Sequence, residues 1–196
     1  MKEEESWGVL TREQFDSFLA VYTKKFGGPV CSRRLSLSFW DHARNEIDTR
    51  IRITDGKAEV MQKVGGIGDQ MVRVRTETSM VLVSSTEDVF NAYKIFRILV
   101  PGDDSCFIYQ HDNYIFKQSD FEIKLTHQLG KVDKYHFEVE VDSSKIDMGD
   151  LLRKLKLFNL VTLTDSAFWD KWNEEVNVRD IDLSDEEIKE LIADYL

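Results

Sequence analysis

Two alternating runs, Ile47-Asp48-Thr49-Arg50-Ile51-Arg52-Ile53-Thr54 and Lys57-Ala58-Glu59-Val60-Met61-Gln62-Lys63-Val64, meet across Asp55-Gly56. A period of two sends successive side chains to opposite faces of a strand, and Asp-Gly suits the positive φ angles of a two-residue hairpin turn. Counting outward from that turn sets Arg52 opposite Glu59, Arg50 opposite Met61 and Asp48 opposite Lys63. On the other side Ile51 faces Val60 and Ile53 faces Ala58. One face of the hairpin is charged and the other is apolar.

The division recurs in Val72-Arg73-Val74-Arg75-Thr76-Glu77, Phe121-Glu122-Ile123-Lys124-Leu125 and Tyr135-His136-Phe137-Glu138-Val139-Glu140-Val141, and in milder form in Arg34-Leu35-Ser36-Leu37-Ser38-Phe39. An antiparallel sheet ordinarily turns one polar face to water. Such a face takes Lys and Thr as readily as Arg and Glu, whereas here acidic and guanidinium groups recur at i, i+2 spacing on strand after strand. Helical stripes are available to cover the apolar faces. Thr11-Arg12-Glu13-Gln14 is a capping box ahead of Phe15, Phe18, Leu19, Tyr22 and Phe26, and Ser84 with Glu87 reads as a second, ahead of Val89, Phe90, Tyr93 and Phe96. Further helices are expected over residues 148–158 (Leu151, Leu152, Leu155, Phe158), 165–176 (Phe168, Trp169, Trp172) and 184–195. With helices outside, the charged faces line an interior, where an unpaired ion costs several kcal/mol, so the charges must pair, stay hydrated or bind something.

The 196 residues, 42% hydrophobic, suit one domain. No apolar run is long enough to span a bilayer and the polar start lacks a secretory stretch, so a soluble, cytoplasmic protein without a membrane partner is expected. Cys31 and Cys106 have neither disulfide-framework nor metal-site spacing and read as reduced packing residues. A net charge of −10 argues against nucleic-acid binding. Residues 174–196 carry nine acidic and two basic side chains, which leaves a net of only −3 for the rest. A locally basic interior is compatible with that balance.

Other chemistry is excluded or minor. Gly65-Gly66-Ile67-Gly68 lacks the Gly-Lys-Ser/Thr of a phosphate loop, and His42, His111, His127 and His136 have no zinc spacing. No nucleophile, base and orienting acid stand out as a set. His136 shares a strand face with Glu138 and reads first as structural.

Taken in order, these segments resemble the CYTH, or triphosphate tunnel metalloenzyme, family, whose members begin with E-x-E-x-K. Glu3-Glu4-Glu5-Ser6-Trp7 stands in that place, and Gly8-Val9-Leu10-Thr11 leads into the first helix. The hairpin with Arg50, Arg52 and Lys63, the strands with Arg73, Arg75 and Glu77 and with Glu122 and Lys124, and a closing strand with Glu138 and Glu140 complete the match, over about residues 1–160. Two places depart from the pattern: Trp7 replaces a basic residue, and Tyr109-Gln110-His111-Asp112-Asn113-Tyr114 lacks the basic residues usual there.

The resemblance implies an α+β fold, an eight-stranded antiparallel β-barrel enclosing a tunnel with helices packed outside. One domain of residues 1–196 is expected, with the tunnel over about 1–160 and a helical extension over 161–196. It implies Mg²⁺ or Mn²⁺ as cofactor and a small-molecule triphosphate as substrate: inorganic triphosphate, a nucleoside triphosphate or thiamine triphosphate. Glu3, Glu5, Glu138 and Glu140 are then the catalytic and metal-binding acids, with Glu77 and Glu122 as further metal candidates. Arg50, Arg52, Lys63, Arg73, Arg75 and Lys124 are the phosphate-binding residues. Adenylate cyclase chemistry on the same fold and a noncatalytic polyphosphate-binding module are the alternatives. The apolar stripe Ile188, Leu191, Ile192, Tyr195 and Leu196 is expected to dock across the barrel, the other reading being exchange with a second subunit in a homodimer.

Overall fold

The computed structural model describes residues 3–40, 47–64, 73–99, 106–142, 144–161 and 165–196, apart from the side chains of residues 3, 40, 73–75 and 166. His42, Val72 and the Gly65-Gly66-Ile67-Gly68 stretch lie outside the described residues. The strands are β1 (Glu3–Leu10), β2 (Val30–Trp40), β3 (Ile47–Thr54), β4 (Lys57–Val64), β5 (Arg73–Val81), β6 (Cys106–Lys117), β7 (Phe121–Leu129), β8 (Lys134–Asp142) and the two-residue β9 (Val178–Arg179). The helices are α1 (Arg12–Phe26), α2 (Thr86–Leu99), α3 (Met148–Leu155), α4 (Ser166–Glu175) and α5 (Asp185–Tyr195). No helix among the described residues is long and apolar enough to cross a membrane.

All neighbouring strands are antiparallel, in the order β2-β3-β4-β5-β1-β8-β7-β6, and β6 pairs back onto β2 from Val30↔Ile115 to Phe39↔Cys106. That last pairing turns the eight-stranded sheet into the expected barrel. The β3–β4 register is the one counted from the turn, with Asp55 and Gly56 at φ 49° and 79°. β9 adds to β6 through Phe107↔Arg179 and Ile108↔Val178.

The apolar outer faces are buried in two separate cores. α2 and α5 cover β2 and β3, joining Leu35, Leu37, Phe39, Ile51 and Ile53 to Val89, Phe90, Tyr93, Ile188, Ile192 and Tyr195. α1 and α3 cover β7 and β8, joining Ile123, Leu125, Phe137 and Val139 to Phe15, Tyr22, Leu151, Leu152 and Leu155. The C-terminal stripe therefore docks on this chain's own barrel. By contrast, Thr76 to Val81 of β5 are exposed on both faces.

Helix limits follow their caps. Thr11 and Gln14 form the expected capping box, and Gly27 ends α1 at φ 92°. The start of α2 differs from expectation: Ser85, not Ser84, caps it, accepting from Asp88 N at 3.1 Å, because Ser84 Oγ accepts instead from Ala58 N of β4 at 3.1 Å. α3 stops at Leu155, where Lys156 turns left-handed at φ 60°, and Phe158 is left exposed rather than on the buried stripe.

β1 changes partners half-way. Its first residues pair with β5 (Glu3↔Arg75, Glu5↔Arg73), and beyond Glu5 that edge takes residues 159–161 instead. Val9 N donates to Asn159 O and Val161 N donates to Trp7 O, both at 3.1 Å. A Cβ on Gly8 would lie 2.3 Å from Asn159 O, so the approach needs glycine. This insertion delivers α4 to the end of the barrel where Trp7 stands.

Candidate active site

The barrel interior is built by alternation. Arg34, Arg50, Arg52, Glu59, Lys63, Glu77, Glu5, Glu138, Glu140 and Lys124 all lie on the strand faces opposite the two cores. Carboxylate oxygens of Glu5, Glu138 and Glu140 come within 4.8 Å of one another. Glu5 and Glu140 face each other across β1 and β8, and Glu138 is two residues along the same face. The spacing that suggested two Glu-x-Glu pairs thus brings one acid of the first pair to both acids of the second.

Cations surround the trio. Lys124 Nζ bonds Glu138 from β7, and Lys63 Nζ lies 3.7 Å from Glu5 and 3.4 Å from Glu77. Arg52 reaches Glu59 at 2.8 Å and Glu77 at 3.4 Å. Arg50 is clamped by Asp48 through two bonds of 2.9 and 2.5 Å, with its guanidinium 5.8 Å from the Tyr109 ring centre. Arg34 donates to Thr54 Oγ1 at 3.0 Å.

Burial and these charges set protonation. Burial pushes the Glu138 carboxyl up, but the ammonium groups of Lys124 and Lys63 outweigh it and hold Glu138 well below the usual carboxylate range. Glu140 is raised to about 7, by burial and then by the negative charge of Glu138. Lys124 is raised because Glu138 and Glu140 overcome the burial that lowers it. Burial lowers His136 to about 3 and pushes Tyr109 up to about 12. Burial, helped by His136 and the cations Arg34 and Arg50, takes His111 well below its ordinary value.

Of the other expected acids, Glu122 faces Glu140 on β7 but is not part of the trio, and Glu77 stands on β5, the strand beside β1, as the partner of Lys63 and Arg52. The backbone sets Glu3, Arg73 and Arg75 at the β1–β5 junction, their side chains being outside the described residues. The sequence reading missed Arg34, Asp48 and Glu59 as site residues. It also gave no role to Tyr109, His111 and Asn113, which line the β6 wall. The period-two rule was signal enough for Asp48 and Glu59, which share strand faces with Arg50 and Lys63, whereas β2 and β6 held no chosen residue from which to count.

One end of the interior is closed by rings. Trp7 is 5.0 Å from Trp169, 5.4 Å from Trp172 and 6.1 Å from Phe168, and its Nε1–H donates to His136 Nδ1 at 2.9 Å. The opening motif therefore carries an aromatic contact with α4 where the tunnel pattern has a base.

All three convergent acids offer oxygen, the donor preferred by Mg²⁺ and Mn²⁺, and burial together with the charge of Glu138 keeps a proton on one of them, Glu140, to near neutrality. The residues fit a divalent cation.

No family model matches the chain, and no curated protein does either. Solved structures do. A Pyrococcus horikoshii protein superposes with a TM-score of 0.60 at 15% identity, over 86% of this chain and 99% of its own. A Hippeastrum protein with a dominant triphosphatase activity gives 0.57 at 13%, over 90% and 97%. A Bacillus halodurans candidate adenylate cyclase gives 0.56 at 12%, over 86% and 99%. These neighbours are CYTH-type proteins, and at such identities the likeness is one of fold. The chain is built on the triphosphate-tunnel fold.

Proposed function

We propose that the barrel binds a triphosphate-containing substrate together with Mg²⁺ or Mn²⁺ and hydrolyses it. The observation that carries this reading is the convergence of Glu5, Glu138 and Glu140 within 4.8 Å, beside Lys63 and Lys124. Glu5, Glu138 and Glu140 would hold the ion. When bound, the cation supplies Lewis acidity toward phosphate oxygens and a more acidic coordinated water.

The protein's own groups do the rest. Lys63, Lys124, Arg50 and Arg52 face the same interior as the acids, with Arg73 and Arg75 placed on the adjoining strand. Guanidinium forks match phosphate oxygens and offset the charge that spreads over them as the terminal phosphoryl leaves. Lys63 and Arg52 each divide their charge between two carboxylates, so either can turn to a phosphate without leaving both acids unpaired. Arg50, held twice by Asp48, is the fixed member. Glu140 must give up its proton to become a ligand, which a value of about 7 makes inexpensive.

The test is phosphate release from inorganic triphosphate, ATP and thiamine triphosphate with Mg²⁺ or Mn²⁺, for the parent and a Glu138→Gln, Glu140→Gln double variant. Metal-dependent release lost by the double variant, by about 100-fold or more, is expected. Binding of triphosphate without release would replace the hydrolase with a binding module, and cyclic nucleotide from ATP would replace it with a cyclase.

A further inference from the structure

Trp7 and His136 stand on neighbouring strands with their side chains turned into the barrel, joined by the bond from Trp7 Nε1–H to His136 Nδ1 at 2.9 Å. An indole nitrogen can only donate, so the imidazole nitrogen that meets it must present a lone pair. The proton of the neutral ring is therefore on Nε2, for which no hydrogen-bond partner is found among the described residues. His136 lies on the β8 face that carries Glu138 and Glu140, with Glu138 and Lys124 as its near charges.

Trp7 has little freedom to turn away. It is 8% exposed, and Trp169 and Trp172 of α4 pack against it. The cluster thus fixes one imidazole tautomer beside the acidic trio. Non-bridging phosphate oxygens only accept hydrogen bonds, and a neutral N–H can serve them beside Lys124 without adding a second positive charge to a buried wall.

We propose, resting on the reading of the tunnel as a polyphosphate site, that Trp7 is a positioning residue that holds His136 as an Nε2–H donor to a non-bridging oxygen of the bound polyphosphate. The contribution of α4 to the site passes through this bond. A purely structural role for Trp7 would need the ring packing but not the indole N–H.

The experiment is ¹⁵N-histidine NMR of the full chain, with and without inorganic triphosphate and without metal, alongside calorimetric binding of triphosphate. In the parent, His136 should show the Nε2–H tautomer, and saturation with triphosphate should move the Nε2 resonance. Trp7→Phe keeps a ring and removes the donor; it should mix the tautomers and weaken triphosphate binding about tenfold. His136→Gln, whose amide reaches the Nε2 position, should bind nearly as the parent does, whereas His136→Asn should bind about tenfold more weakly. Should Trp7→Phe fail to fold, the two His136 variants and the parent spectrum still decide. An Nδ1–H tautomer in the parent, an unmoved Nε2 resonance at saturation, or equal binding by the Gln and Asn variants overturns the donor role alone. Absence of triphosphate binding by the parent without metal overturns this role, and its absence with Mg²⁺ or Mn²⁺ as well overturns the function on which it rests.

Discussion

Alternate residues of β8 live in different surroundings. Phe137, Val139 and Val141 point outward into a helix-covered core, whereas His136, Glu138 and Glu140 point inward to charged groups. The outward set supplies stability by removing apolar surface from water. The inward set works against it, since two crowded carboxylates keep one proton near neutrality and depend on Lys124 and Lys63 to remain buried. A single strand thus holds the fold together on one face and stores binding capacity on the other.

That contrast can be broken most strongly from the outside. Phe137→Ala should lower the unfolding free energy by about 3–5 kcal/mol in urea titrations, while the folded fraction keeps its affinity for triphosphate. On the inside, Lys124→Met should cost about 3 kcal/mol at neutral pH by leaving Glu138 short of a partner. A further Glu138→Met change should restore most of that stability and none of the metal binding. If the double variant is no more stable than the single, the interior charges are not the burden inferred here.

A third way to sharpen the contrast is pH. The folded Glu140 value of about 7 is above the ordinary 4.5, so its contribution to stability is complete below about 4.5 and is lost as pH rises through about 7. Glu138 has the opposite sign, but its change comes at lower pH. The melting midpoint of the metal-free protein should therefore fall between pH 5 and 8, and Glu140→Gln should flatten that slope. Metal affinity should rise over the same range as Glu140 loses its proton. The smallest effect is expected farthest from both faces: Arg153→Ala, removing an exposed i, i+3 partner of Asp150 on α3, should change stability by less than about 0.5 kcal/mol.

Much of this was legible in the sequence where local rules are stiff. The Asp-Gly turn fixed the β3–β4 register residue by residue, so the Arg52–Glu59 pair could be named in advance. The i, i+2 rule likewise placed Glu138 with Glu140. What stayed hidden depends on which strands become neighbours. Lys63 meets Glu5 only because β4 and β1 flank β5, and the stagger of the barrel sets Glu77 with cations rather than with the acidic trio. The cap of α2 moved by one residue because β4 claimed Ser84, a competition invisible to local pattern. Trp7 could be seen as a missing base, but its partners in α4 could not be foreseen, since only the insertion of residues 159–161 beside β1 brings them together.

The bond between Trp7 and His136 spans 129 positions of sequence, and β1 lies between a strand from the middle of the chain and one from late in it. Contacts of such separation form late and slowly. Glu5 therefore meets Glu138 and Glu140 only once β1 has paired with β8, and no hairpin of consecutive strands contains the trio. A divalent ion that needs all three acids cannot template folding from the start, as metals do in small finger domains, but can act only after that long-range pairing has formed. Such an ion should leave the refolding rate of this chain almost unchanged and slow its unfolding.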